Sequence, residues 1–176
     1  EMTVRRKLRH ERIRYLEKGF IKRTLMLSKI GYFYLEKVTC SLEEYFDNAD
    51  SYPIQIEASE LTKDLLRVID YLHTGARIIH GKICAQSVFL KLDGTRRFWT
   101  IKLCNFSEAQ YFDDLQTTAF EPSDEADVTH LVDLSYIKGY RQQMSDDLDA
   151  ATGVIFYLLT GKQKQCLSRE DLAELQ

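Results

Sequence analysis

Proline and glycine are scarce in this chain, at two and eight of 176 residues. Collagen-like, linker and low-complexity chains need both in quantity, so those classes are excluded. Long apolar runs are missing too. No stretch approaches the roughly 18 apolar residues that a membrane helix requires, and no membrane contact is expected. The four cysteines, Cys40, Cys84, Cys104 and Cys166, are widely spaced and lack the close pairing of a metal-ligand motif. Reduced intracellular thiols fit that spacing better than a disulfide framework, and no metal site is expected. The chain opens on Glu1 rather than Met with no signal-peptide pattern after it, so it is read as a segment of something longer and placed in the cytoplasm.

What is present is ordinary for a globular domain: 44% hydrophobic, 11% aromatic and 29% charged residues exclude a disordered chain, and the length fits one domain with a real core. The net charge of −3 hides a division. Residues 1–40 hold eleven Lys/Arg and four Asp/Glu, whereas residues 41–176 hold thirteen and twenty-three. A basic end suits nucleic acid or an acidic partner, but it equally suits a solvated helix face, and the latter is the reading adopted.

Periodicity predicts a helix over residues 1–16, with Val4 and Leu8 one turn apart. Residues 24–30 and 32–38, aromatic and branched and pinched by Gly31, read as paired strands. Ser41 with Glu44 forms a capping-box pattern and opens a short helix through Phe46. The clearest helix covers residues 59–74: Leu61, Leu65, Val68, Ile69 and Leu72 form one stripe, and Gly75 is expected as a left-handed cap. Val88-Phe89-Leu90, a turn at Asp93-Gly94 and residues 99–104 predict a hairpin. Residues 107–146 are acidic and read as a long loop holding about one helical turn. Residues 147–160 predict a buried apolar helix ended by Gly161, and Ser168 with Asp171 opens a last helix.

Several stretches in this order resemble the protein kinase superfamily. They are His10-Glu11-Arg12-Ile13, where kinases often read H-P-x-I; Leu35-Glu36-Lys37-Val38 with Ser41-Leu42-Glu43-Glu44-Tyr45, like a gatekeeper, hinge and following helix; and Tyr71-Leu72-His73 with Ile78-Ile79-His80, like Y-L-H and I-I-H. Lys102-Leu103-Cys104-Asn105-Phe106-Ser107 is similar to K-L-C-D-F-G, and Leu158-Leu159-Thr160-Gly161 completes the series. The matches are collinear over about 160 residues. The resemblance implies an α+β, protein kinase-like fold clipped at both ends. Residues 1–40 would hold the helix kinases call αC with the last N-lobe strands and hinge; residues 41–176 would hold a mostly helical C-lobe through αF and αG. Glu1 would stand at the αC glutamate, which in an active kinase pairs with a strand lysine on the nucleotide phosphates.

At the chemical positions the resemblance breaks. Kinases place an aspartate two residues after the loop histidine to take or orient the substrate hydroxyl proton; here it is Lys82, an ammonium with donors only. The magnesium-holding Asn five residues on is Ser87, and the D-F-G aspartate is Asn105, which removes the anionic ligand. Cys84 stands for a phosphate-contacting lysine and Gly81 for an arginine. No A-P-E is found near Tyr136-Ile137-Lys138-Gly139-Tyr140, and Thr152 replaces the usual αF glycine. Losing the base alone costs about 10²–10⁴-fold. Structural positions persist: His80 against Phe106, and Asp147 where αF ties down the His80 loop. Leu35, Glu36, Val38 and Phe89 are the nucleotide-pocket candidates, with the backbone of Glu36 and Val38 meeting adenine and Phe89 lying beneath it; plain core packing is the alternative for Leu35 and Phe89.

The resemblance therefore implies a pseudokinase: an inactive kinase homologue that regulates or scaffolds a protein partner, such as a kinase or effector domain. Weak ATP or ADP binding without magnesium is the most it implies for a cofactor. Two other readings stay open, a divergent Ser/Thr kinase and the regulatory domain of a ribonuclease. The His80-Gly81-Lys82-Ile83-Cys84-Ala85 loop is similar to that of Janus kinase pseudokinase domains, whereas the hinge and residues 147–159 are more similar to ribonuclease L and the unfolded-protein-response kinase–ribonucleases.

Overall fold

The computed structural model describes residue 4 and residues 7–23, 29–51, 56–93, 98–111 and 134–162, a mixture of helix and strand. Glu1, Gly94 and the helix expected at Ser168 lie outside the described residues. The first helix is shorter than its periodicity suggested: Val4 and Lys7 are helical, but from Leu8 the chain leaves the helix. His10 turns it, its carbonyl accepting from the Ile13 N–H and its Nδ1 from the Arg12 N–H. Ile13 and Leu16 are thereby buried by strand-like contacts, Ile13 bridging in parallel to Leu103.

Strands β1 (Leu16–Arg23) and β2 (Lys29–Leu35) pair antiparallel, from Leu16 opposite Leu35 to Arg23 opposite Lys29. The first strand thus lies earlier than expected, and Gly31 sits inside β2 opposite Ile21 rather than between the strands. Phe20 stacks on Tyr32 at 5.1 Å and on Tyr34 at 6.1 Å, and this ring ladder holds a ribbon most of whose side chains are exposed.

β3 (Cys40–Ser41) leads into α1 (Leu42–Asp47), and the expected capping box is formed. The Ser41 Oγ accepts from the Glu44 N–H at 3.1 Å, and Glu44 Oε2 accepts from the Ser41 N–H at 2.7 Å. After a 3₁₀ turn comes α2 (Ala58–Asp70), which buries Leu61, Leu65, Val68 and Ile69 along the predicted stripe. Its continuation widens into a π turn over Tyr71–Gly75, closed by the Ala76 N–H on the Tyr71 carbonyl. The wider turn postpones the chain reversal, so the left-handed residue is Arg77 (φ 54°) and not Gly75.

β4 (Ile78–Ile79) precedes the hairpin of β5 (Val88–Asp93) and β6 (Phe98–Leu103), which pairs in the expected order from Val88 opposite Leu103. A 3₁₀ turn at Phe106–Glu108 and the short β7 (Gln110–Tyr111) follow, β7 pairing with β4 while β3 joins β5 and β6. Then α3 runs over Leu134–Thr160, so residues 134–146 are helix and not loop. Exposed polar helix formers such as Arg141 and Gln142 continue the ladder of the apolar half, and Gln142 adds an i,i+4 bond to Asp146. Gly161, at φ 67°, ends α3 as expected.

α2 packs on α3 and β6, and between them lie Leu65, Ile69, Leu72, Ile101, Leu103 and Phe106, all essentially inaccessible. At about 1.5–3 kcal/mol for each large side chain taken from water, this core fixes where the loop between β4 and β5 sits. Among the described residues no helix is long and apolar enough to cross a membrane.

Candidate functional site

Residues 80–87 form the loop between β4 and β5, and its anchor is a single buried carboxylate. Asp147, on the inner side of α3 and 2% exposed, accepts from the His80 N–H at 2.8 Å through Oδ2 and from the Gly81 N–H at 2.9 Å through Oδ1. His73, on the π turn, adds Nε2 at 3.0 Å from Oδ2. Burial pushes the Asp147 carboxyl upward, but these three donors outweigh it and hold the group below the ordinary aspartate range. Because a carboxylate only accepts, the His73 proton resides on Nε2.

His80 is committed as completely. Its Nε2 donates to the Cys104 carbonyl at 2.8 Å, its Nδ1 accepts from the Lys82 N–H at 3.2 Å, and its ring lies 4.7 Å from that of Phe106. Those partners require the neutral Nε2–H tautomer. The predicted contacts of His80, Phe106 and Asp147 are thus all present and belong to one network.

Lys82, Ser87 and Asn105, where the kinase resemblance breaks, have other occupations. Lys82 Nζ pairs with Glu108 Oε1 at 2.8 Å on the surface, and that hydrogen bond raises its pKa further, so it offers no lone pair at neutral pH. The ion pair flanks a cleft of about 350 Å³ that Gln143 and Asp146 also line. Ser87 is fully buried; its Oγ accepts from the Cys84 N–H and donates to the Cys84 carbonyl, both at 2.9 Å, locking the turn before β5. Asn105 takes a left-handed backbone (φ 62°), a conformation asparagine tolerates better than most residues, and its Oδ1 accepts from the Ser107 hydroxyl.

Magnesium, which the kinase resemblance would call for in an active enzyme, does not fit these residues. A hard divalent cation wants anionic oxygens, whereas here one would-be ligand is a neutral amide, the other is spent inside a turn, and nearby Lys82 is itself a cation. Among the described residues no cluster of three or more His, Cys, Asp and Glu side chains is arranged for a metal ion.

The four nucleotide-pocket candidates come together along β2, the segment after it and β5. Leu35 ends β2 opposite Leu16, half-buried Val38 follows, and Thr39 is fastened to β5 by its N–H on the Leu90 carbonyl. Glu36 sits in a charged knot: its carboxylate meets Lys91 Nζ at 2.6 Å, Lys102 Nζ at 3.0 Å and the Tyr15 N–H at 3.3 Å. Burial raises the Glu36 pKa, but the two lysine hydrogen bonds win and lower it overall. Arg14 completes the group, its Nε–H donating to the Glu36 carbonyl at 2.8 Å and its guanidinium lying 5.0 Å from the centre of the Phe89 ring.

Sequence reasoning missed Arg14, His73 and Glu108 as members of this region. Arg14 was hidden among neighbouring arginines, and Glu108 within an acidic stretch. His73 carried a signal, being the histidine of Tyr71-Leu72-His73 on a stripe that also holds Leu65 and Ile69. In the sequence Gly81 signals only the arginine that the kinase resemblance expects there. It adopts φ 74°, and a Cβ there would meet the Glu108 carbonyl oxygen at 2.9 Å, so the position demands glycine. No protein-family model and no curated protein matches this chain.

Proposed function

We propose that this chain is a catalytically inactive homologue of the protein kinases, spanning αC to αF of a kinase-like fold and working as a cytoplasmic regulatory or scaffolding module for a protein partner. One contrast carries the reading. The contacts that position a kinase-type loop, from Asp147 to His73, His80 and Gly81 and from His80 to Phe106, are intact. The groups that would do chemistry on that loop are a lysine in an ion pair, a serine buried in a turn and an uncharged asparagine. A positioned loop without base or metal ligand preserves a shape and not a reaction, and shape is what a binding module needs.

The test is transfer of radiolabelled γ-phosphate from ATP, with the purified chain alone and with generic acceptor proteins. No incorporation above background is expected. Incorporation that disappears in Lys82→Ala or Asn105→Ala would make the protein an unconventional kinase and sink the proposal.

A further inference from the structure

We infer that Arg14 occupies the adenine seat of this domain, so that the pocket is filled by the chain's own side chain in the absence of any nucleotide. The identity of the pocket rests on the kinase-homologue reading; the contacts that fill it do not. The Arg14 backbone is anchored, its N–H donating to the Leu103 carbonyl at 2.9 Å beside the Ile13–Leu103 bridge. From that fixed origin the guanidinium reaches the two surfaces a purine would use. Its Nε–H takes the Glu36 carbonyl, as an exocyclic amine would, and its guanidinium carbon lies over the Phe89 ring, where a purine would sit. A guanidinium suits this double task because it is flat, carries only donors and gains attraction from a ring face through its charge.

The seat is also held shut. The Glu36 N–H donates to the Tyr15 carbonyl at 2.8 Å, and Lys91 and Lys102 clamp the Glu36 side chain, so the segment bearing the acceptor cannot swing aside without breaking several bonds. An incoming adenine must displace a charge-assisted hydrogen bond and a cation–π contact to gain neutral hydrogen bonds on the Glu36 and Val38 backbone and one stacking contact. That exchange favours the arginine. Two lysines on the Glu36 carboxylate and Arg14 on its carbonyl would still attract free phosphates, so the base and the phosphates need separate probes.

The experiment is thermal unfolding of the whole chain with adenosine, ATP or tripolyphosphate at millimolar concentration, with and without magnesium. For the native chain no adenosine-dependent shift is expected, and ATP should do no more than tripolyphosphate. Arg14→Val opens the seat. A bound nucleoside at about ten times its dissociation constant then raises Tm by roughly 3–6 °C, and adding Phe89→Ala should abolish the gain. Arg14→Lys, which keeps charge but loses the plane and the fork, serves if the valine variant fails to fold and should show a smaller gain. Adenosine binding to the native chain, or folded Arg14 variants with no gain, would overturn the inference. Binding by the native chain without phosphate transfer refutes only the filled seat, whereas transfer refutes the inactive-homologue reading.

Discussion

Replacing Asp147 by alanine removes the acceptor for three donors at once: the buried His80 N–H and His73 Nε2–H and the part-buried Gly81 N–H. A buried donor left without a partner costs about 1–3 kcal/mol, so the expected loss is about 3–6 kcal/mol, a large share of the ~5–15 kcal/mol that holds a typical domain folded. Asp147→Asn keeps one acceptor oxygen but turns an NH₂ toward donors, and about 2–4 kcal/mol should be lost. The only tryptophan, Trp99, is buried edge-on against Tyr45 and gives a fluorescence signal for urea unfolding. The native Asp147 pKa lies below the ordinary aspartate value of 3.8. Its contribution is therefore complete above that value and drains away as pH falls through the lower, folded one. The native chain should lose stability on that acid limb, and the asparagine variant should lose less there. A midpoint change worth under about 1 kcal/mol in the alanine variant, with unchanged slope, would mean that the carboxylate does not hold the loop.

Gly81→Ala should cost at least about 1–2 kcal/mol, since a left-handed backbone is strained for alanine and the new Cβ presses on the Glu108 carbonyl; urea midpoints read it directly. Ser41→Ala breaks the capping box of α1 and should cost about 0.5–2 kcal/mol, whereas Ser41→Asn should recover most of it. The triple change Lys82→Asp, Ser87→Asn, Asn105→Asp is expected to leave phosphate transfer undetectable. Asp at 82 would face Glu108, and the larger Asn would disrupt the Cys84 turn at a fully buried site; labelled product would show that those three residues alone had silenced the chemistry.

Features set by neighbours in the chain were legible: the Ser41–Glu44 box, the α2 stripe and the β5–β6 hairpin each follow from short-range periodicity or capping chemistry. The partners of His80 and Asp147, 67 residues apart, came from the kinase resemblance and not from periodicity. What escaped depends on burial pattern or distance. β1 reads Leu-Glu-Lys-Gly-Phe-Ile-Lys-Arg and, beyond buried Leu16, its described side chains leave both faces largely in solvent, so it has no alternation to detect. The first half of α3 carries only a thin apolar spacing, Ile137, Tyr140 and Met144, interrupted by Gly139 and polar residues, and Gly81 shows its necessity only once Glu108 lies against it. Arg14 looked like one more solvated arginine because its partners stand 22 and 75 positions away.

The β1–β2 ribbon gives the domain an uneven thermal character. Two strands alone are marginal in water, and this pair keeps Ile21, Tyr32 and Tyr34 in solvent while, among the described residues, neither edge pairs with a further strand. Its amides should exchange with deuterium long before those of α2 and β6, opening at a free energy far below that of global unfolding. Once parted, the strands offer aromatic, β-prone segments to other chains, and Lys18 and Lys22, alternating with Phe20, are the charges that discourage such pairing. Aggregation on storage or mild heating should therefore start at this ribbon, sooner at high salt where the lysines are screened, while the Asp147-anchored core is still folded.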